Sequence, residues 1–152
     1  MADRFTADYV VHVSSPPAEA FDYISDVRRH NEWSPKPYRI EGLPDGPVVT
    51  GTRFTSYGWV PGDKDHRNEV EVSACDRPTR FELTSHERGE RFVNRFDVAA
   101  DGSGSTITRS VDWARPTGAL GLLFPLIRAG VINPAVNKQM SMLKERLDGG
   151  AA

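Results

Sequence analysis

The sequence predicts an α+β domain in which a curved antiparallel sheet wraps around one long C-terminal helix. Most of the chain alternates apolar and polar residues with the period of a strand, short turns separate these segments, and residues 117–147 have helical character. Short turns imply antiparallel neighbours. Because 152 residues is the usual size of one domain, we expect a single domain over residues 1–152 with about seven strands.

The N-terminal part predicts one strand followed by two short helices. Residues 5–13 alternate with a period of two, as a strand with one buried face does. The segment 14–19 then offers a serine cap, prolines and a carboxylate, which are typical of a helix start. A second short helix is expected over 26–33, until two prolines end it.

From residue 38 the pattern returns to strands. Each predicted strand ends at a turn rich in glycine, proline or aspartate, and the last two are joined by a hairpin at 101–104. The predicted strands cover residues 38–43, 51–60, 67–75, 79–87, 90–100 and 105–114.

The helix predicted over 117–147 has two different halves. Its first half is apolar on every side, so we expect the sheet to cover it completely, whereas its second half is amphipathic. Glycines and prolines weaken the first half, and we hypothesise that residues 118–134 form a gate over a pocket. A membrane surface or a second subunit could cover the same stretch instead. The longest apolar run, 119–127, is shorter than the ~20 residues of a membrane span, so no transmembrane segment is expected.

Composition narrows the function classes. Hydrophobic residues make up 38% and charged residues 26% of the chain, as in a soluble globular protein. A net charge of −2 argues against a nucleic-acid partner. The single cysteine, Cys75, allows no intrachain disulfide, and the first residues do not resemble a secretory leader. We therefore expect a cytoplasmic location.

The sequence contains no pattern typical of a metal or nucleophile site. The four histidines lie on separate predicted elements without paired spacing, so we expect surface or turn histidines and no metal. Ser103, between two glycines, lacks the pattern of a nucleophile elbow and fits a hairpin turn better. We expect no cofactor.

Three segments carry a resemblance to a known superfamily. Residues 9–21 (including Val-His-Val-Ser-Ser-Pro-Pro-Ala-Glu-Ala-Phe), residues 26–33 and the hairpin at 96–108 resemble those of the START-like superfamily. This superfamily is also described as SRPBCC or polyketide cyclase/dehydrase, and it has the helix-grip, or Bet v 1-like, fold. The resemblance implies a deep cavity between the concave face of the sheet and the C-terminal helix, with an apolar small molecule or lipid inside. Fold alone does not fix the activity.

Two polar residues are expected to face this cavity. Arg109 shares a strand face with Ile107 and Trp113, which should look toward the long helix. A buried arginine needs a partner. We favour an ion pair with a carboxylate such as Glu87, or exposure at the sheet edge, over a contact with a polar group of a ligand. Asn94 could place an amide in the pocket or bond to a neighbouring strand.

The orientation of one aromatic strand stays open. Tyr57 and Trp59 share one face and Phe54 lies on the other, and either face could line the cavity. Trp33 is expected to fill the core rather than to contact a ligand. The predicted ligand-binding residues are Tyr57, Trp59, Phe81, Phe92, Asn94, Phe96, Arg109, Trp113, Phe124, Ile127 and Val131.

These observations leave two functions open. The first is binding or transport of a hydrophobic small molecule or lipid. The second, which the resemblance implies, is a polyketide aromatase/cyclase-like enzyme that works without metal or nucleotide cofactor and needs acid and base groups in the pocket. The candidates for those groups are Arg109, Tyr57, Asn94 and Asp112, and they form no recognisable pair. We therefore favour binding.

Overall fold

A computed structural model describes residues 3–60, 62–87 and 89–149. Its seven strands form one antiparallel sheet in the order β1-β7-β6-β5-β4-β3-β2. The strands are β1 Arg4–Val13, β2 Arg39–Glu41, β3 Arg53–Val60, β4 Asp63–Asp76, β5 Arg80–Glu87, β6 Glu90–Asp101 and β7 Gly104–Ala114. The predicted order of elements along the chain is confirmed, with boundaries that differ by a few residues.

Helices stand at both ends of this meander. They are α1 Pro17–Ser25, a 3-10 helix Val27–Trp33, α2 Gly118–Ile127, a π-helical turn Arg128–Ile132, and α3 Asn133–Asp148. The last three follow one another without a break as the long C-terminal helix Gly118–Asp148. The predicted fold class, a curved sheet that grips a long helix, is confirmed.

The core lies between the sheet and the two helices α1 and α3. Because side chains alternate along a strand, Phe96 on β6 and Ile107 on β7 point to the same side of the sheet, where both are almost completely buried. Opposite them, α1 buries Ile24 and α3 buries Leu143, each with no exposed surface. The amphipathic half of the C-terminal helix is therefore the half that the sheet grips.

The expectation that the sheet covers α2 is wrong. Of the ten residues in α2 only Phe124 is buried, and its ring packs edge-on against Phe5 with 5.0 Å between centroids. Leu122 and Leu126 are 85% and 72% exposed. The reason is positional: α2 lies at the end of the sheet where β1 begins and β7 ends, so only one narrow stripe of the helix meets a neighbour.

The long helix also has the hydropathy of a membrane segment. Gly118–Asp148 has 31 residues and a mean hydropathy of 1.6 over its most apolar 18-residue window, of which 6% is buried. By length and composition alone it could cross a bilayer. Its second half nevertheless belongs to the domain core, because Met140, Leu143 and Leu147 pack against the sheet.

Candidate functional site

A cavity of about 140 Å³ lies between the concave face of the sheet and the helices. Residues on three adjacent strands form its floor: Leu83 on β5, Asn94 and Phe96 on β6, and Arg109 on β7. The antiparallel register places Leu83 opposite Asn94 and Phe96 opposite Arg109. Gln139 on α3 contributes to the wall, and the remaining lining residues are His30, Trp33, Ser34 and Tyr38.

Arg109 is the charged residue of this cavity. It is 9% exposed, its Nε donates to Asn94 Oδ1 at 2.9 Å, and its Nη1 donates to Gln139 Oε1 at 2.5 Å. The guanidinium carbon lies 5.4 Å from the centroid of the Phe96 ring. Among the described residues no carboxylate lies within ion-pair distance of Arg109. Burial lowers the pKa of Arg109 to about 10, so the side chain remains a cation at neutral pH.

Trp33 adds a second hydrogen-bond donor to the cavity wall. The residue is 4% exposed, and its indole Nε1 is buried without a hydrogen-bond partner among the described residues. Its ring packs edge-on against Phe96 at 5.9 Å between centroids and lies tilted against His30 at 4.8 Å. Buried polar atoms normally have a partner, so this N–H is a natural donor to a ligand.

His30 lines the same cavity as a neutral imidazole. Its Nε2 lies 2.8 Å from the carbonyl oxygen of Ile24, so the Nε2–H donates and Nδ1 is left as an acceptor. Burial, reinforced by the positive charge of Arg109, lowers the pKa of His30 to about 4 despite the hydrogen bond to Ile24. The cavity therefore holds one fixed positive charge at neutral pH.

An asparagine fixes the loop that closes this wall. Tyr38 N donates to Asn31 Oδ1 at 2.9 Å, and Asn31 Nδ2 donates to the Tyr38 carbonyl oxygen. This pair of bonds ties the segment after the 3-10 helix back onto that helix. Burial raises the pKa of Tyr38, although its hydrogen bond with Ser56 opposes the shift.

The structure brings three of the sequence-predicted ligand-binding residues together. Asn94, Phe96 and Arg109 all line the cavity, because the strand alternation places them on one face. The partner expected for Arg109 was wrong: Glu87 contacts His66 Nε2 at 2.6 Å instead, and Arg109 bonds to two amides. Phe81 is fully buried in the adjoining core, edge-on to Phe21 at 6.5 Å.

Five other predicted residues lie away from the cavity. Phe92 stacks on Trp113 at 5.4 Å, and Trp113 contacts Phe5 at 4.7 Å, so a second aromatic cluster forms where α2 meets the sheet. Phe124 belongs to this cluster. Ile127 is half-buried beside it, and Val131 is 58% exposed. None of the five lines the Arg109 cavity, so their assignment as cavity lining is corrected. Phe92 and Trp113 lie further along β6 and β7, in the cluster with Phe5, and the other three belong to α2 and the π-helical turn.

Tyr57 and Trp59 lie on the outer face of the sheet. Phe54, 3% exposed, takes the inner face, so strand alternation directs the other two outward. The Arg39 guanidinium carbon lies 3.8 Å from the Tyr57 ring centroid, and Lys36 Nζ lies 4.5 Å from that of Trp59. Both residues are therefore corrected from cavity lining to surface cation–π contacts.

Sequence reasoning missed several lining residues. Gln139 had a usable signal, because it lies four residues before Leu143 and so interrupts the buried stripe of α3 with a polar group. Trp33 fills the core as expected but also lines the cavity. Strand alternation placed Leu83 on the face of Phe81, whereas no comparable signal marked His30, Ser34 and Tyr38 as cavity lining.

The expectation of surface histidines fails for two of the four. His30 and His66 are 8% and 6% exposed. His66 Nδ1 lies 3.1 Å from Asp63 Oδ2, and Nε2 contacts Glu87, which makes this a polar cluster on β4 and β5. Within the described parts of the chain, no group of three or more histidine, cysteine or acidic residues is arranged to hold a metal ion.

A larger depression of about 600 Å³ lies on the surface between α1 and the segment before β3. Its polar rim includes the exposed ion pair of Arg77 with Asp22, whose Nε–Oδ1 distance is 2.6 Å. In this pair each charge has its counter-charge, whereas the Arg109 cavity contains a buried charge that has no carboxylate partner among the described residues. The smaller cavity around Arg109 and Trp33 is therefore the better candidate site.

The comparisons with known proteins agree with this architecture. The family model described as "Polyketide cyclase / dehydrase and lipid transport" matches residues 4–148. The chain belongs to this family. Membership supports binding of hydrophobic ligands in general, and the fold is START-like, or Bet v 1-like, as the sequence predicted. A search of curated proteins gives no significant match.

Several solved structures with the same fold align with nearly the whole of this chain. TTHA0849 from Thermus thermophilus has a TM-score of 0.71 at 17% identity, covering 99% of this chain and 100% of its own. Ms6760 from Mycobacterium smegmatis has a TM-score of 0.66 at 15% identity, covering 95% and 91%. A point mutant of norcoclaurine synthase from Thalictrum has a TM-score of 0.67 at 16% identity, covering 96% and 98%. At these identities the likeness shows the fold alone.

Proposed function

We propose that the protein binds a compact apolar molecule with an acidic group, and that Arg109 holds the acid. The observation that carries this proposal is a buried guanidinium that lines a cavity and has no carboxylate partner among the described residues. Burying a charge without an opposite charge is unfavourable. The two amide acceptors use two of the five N–H donors of a guanidinium. An anionic ligand group would supply both the missing charge and further acceptors.

The neighbours of Arg109 support the same ligand chemistry. Trp33 Nε1–H has no partner among the described residues and can donate to a carboxylate. His30 is neutral, so it does not repel an anionic group. Phe96 lies between them and offers a ring to an apolar body. A carboxylate or a comparably small anionic group on a hydrocarbon frame matches this set of residues.

The size of the cavity limits the ligand. A cavity of about 150 Å³ lined by apolar residues accommodates benzene, and drug-sized ligands need roughly 300–1,000 Å³. The volume here is about 140 Å³. We therefore infer a ligand with one ring, or an aliphatic group of similar size, for the cavity in its present shape.

Binding is better supported than catalysis by the titratable groups of the cavity. An acid or base that works near neutral pH needs a pKa near that pH. Burial moves the pKa of His30 to about 4 and leaves that of Arg109 at about 10, and it raises the pKa of Tyr38 above its ordinary value. These groups are suited to hold a fixed charge distribution rather than to exchange protons.

Calorimetry with benzoate and its neutral isostere benzamide tests the proposal. We expect benzoate to bind and Arg109→Gln to weaken it by roughly 10- to 100-fold, the value of a charged hydrogen bond. Benzamide should bind weakly and lose little in the variant. Arg95→Gln is the matched control, because Arg95 lies on β6 but pairs with Asp97 at 2.9 Å outside the cavity. Equal affinity for both probes, or an unchanged benzoate affinity in Arg109→Gln, would contradict the anion site.

A further inference from the structure

The four leucines of α2 form an exposed apolar surface. Leu120, Leu122, Leu123 and Leu126 are 61%, 85%, 52% and 72% exposed, whereas Phe124 anchors the helix to the sheet. At 100° per residue the four side chains cover an arc of about 160° around the helix. Contiguous apolar surface of this kind marks a site that another molecule or a membrane covers.

The chain around this surface is basic. Between Asp112 and Glu145 the sequence contains no acidic residue but has four basic ones, Arg115, Arg128, Lys138 and Lys144, although the whole chain has a net charge of −2. Lys144 pairs with Asp148 at 2.7 Å, so the unbalanced charge comes from the other three. Such an asymmetry gives this part of the molecule a positive potential that attracts an anionic surface.

Two of these arginines border a pocket at the base of α2. Arg115 and Arg128 line a surface pocket of about 390 Å³ together with Phe5 and Phe124. The Arg128 guanidinium carbon lies 4.8 Å from the Phe5 ring centroid, and that of Arg115 lies 6.0 Å from Phe124. Arg115 has one ion pair, at 3.4 Å with the exposed Asp3, and Arg128 has none among the described residues. Guanidinium groups in this setting are suited to phosphate.

We propose that α2 docks the protein on a bilayer that contains anionic phospholipids. The leucines enter the acyl region, and Arg115 and Arg128 bind headgroup phosphates beside them. Apolar insertion together with basic residues is the combination that gives stable peripheral attachment. The helix lies on the bilayer and does not span it, because Met140 and Leu143 keep its second half in the core.

A second copy of the chain is the less suitable occupant. A ten-residue helix is about 15 Å long and about 10 Å wide, whereas each subunit of a stable dimer buries roughly 800 Å². The basic surroundings of α2 would also face each other across a symmetric interface. Neither argument applies to an anionic bilayer, which is an extended surface of opposite charge.

Vesicle co-sedimentation tests the proposal. We expect the wild type to bind vesicles of phosphatidylcholine with phosphatidylglycerol, to bind pure phosphatidylcholine weakly, and to dissociate as salt is raised. The double variant Leu122→Asp with Leu126→Asp should abolish binding. Arg128→Gln should weaken it about fivefold, the contribution of one basic residue near the surface. Val49→Asp and Arg67→Gln are the matched controls: Val49 is 60% exposed, and Arg67 lies on β4, four strands away from β1.

The other outcomes would overturn the proposal. They are no binding of the wild type to phosphatidylglycerol vesicles, equal binding by the leucine variant, or a dimer that the leucine variant dissociates without any vesicle binding. Circular dichroism and thermal melting establish that each variant is folded. Benzoate affinity should be unchanged by the leucine variant, so the result is independent of the proposed ligand function.

Discussion

Acidification should destabilise the protein through His30, since this residue is buried as a neutral imidazole. Its pKa falls from 6.5 to about 4 in the folded chain. Between these values the unfolded chain binds the proton and the folded chain does not, so stability is full above pH 6.5 and declines as the pH falls toward 4. From these two pKa values, the loss is about 2 kcal/mol at pH 5 and about 3 kcal/mol at pH 4.

The assay is urea unfolding at a series of pH values for the wild type and His30→Gln. Glutamine keeps an N–H donor for the Ile24 carbonyl but has no charge to gain. Carboxylates with lowered pKa, such as Asp22 and Glu32, add their own acid sensitivity to both proteins, so the informative quantity is the difference between the two curves. His86→Gln, which replaces an exposed histidine, is the control. Parallel curves for wild type and His30→Gln between pH 7 and 4 would refute the reasoning.

Three other substitutions have consequences that the structure defines. Gln139→Leu removes an acceptor from buried Arg109 and should cost about 1–3 kcal/mol in urea unfolding; no loss would mean that water replaces the amide. Trp33→Phe keeps the ring but removes the indole N–H, so calorimetry should show weaker benzoate binding and a smaller change for benzamide; equal changes would indicate a packing effect. Gly104→Ala places a methyl group against the backbone of β1 and should lower the free energy of unfolding by more than about 2 kcal/mol. Gly102→Ala faces open space and should lower it by about 1–2 kcal/mol because of its positive φ. Similar melting temperatures of the two variants would contradict the overlap at Gly104.

The fold followed from periodicity because each element has a strong local pattern. Strand alternation in the sequence also predicted that Asn94 shares a face with Phe96 on β6 and Arg109 with Ile107 on β7, because each face depends on parity within one strand. The observed register, which pairs Phe96 with Arg109, places both sets on the same side of the sheet. The single-domain organisation and the cytoplasmic location remain predictions.

The wrong partner for Arg109 and the missed lining residues have a common cause. Both depend on how far along a strand a residue lies or on how separate elements pack, and local periodicity gives neither. Arg109 lies opposite Phe96, which in turn lies opposite Phe81. Glu87 is six residues further along β5, or about 20 Å at the rise of a strand, so parity alone could not exclude it as a partner. His30 and Tyr38 reach the cavity through the fold of the segment around the 3-10 helix, which no repeat in the sequence encodes.

The prediction that the sheet covers α2 was wrong for a different reason. The prediction assumed that an apolar helix is buried within its own chain, but the energetic requirement is only that its surface be removed from water. The described residues satisfy that requirement for α3, which packs against the sheet, and leave it unmet for Leu122 and Leu126. A pattern of hydrophobicity therefore predicts that a surface is covered, and it does not name the molecule that covers it.

The same distinction explains why Arg109 is informative. Its neighbours on the inner face of β7, Ile107 and Val111, are buried hydrocarbons, and a hydrocarbon at position 109 would continue that pattern. The lowering of the pKa of Arg109 to about 10 corresponds to a penalty of about 3 kcal/mol for the charged form, a large share of the stability of a typical domain. Neutral amides reduce this penalty without removing the charge. Under the proposed function, the stability that Arg109 costs in the free protein is offset when an anion supplies its missing counter-charge, and such a cost is common at binding sites.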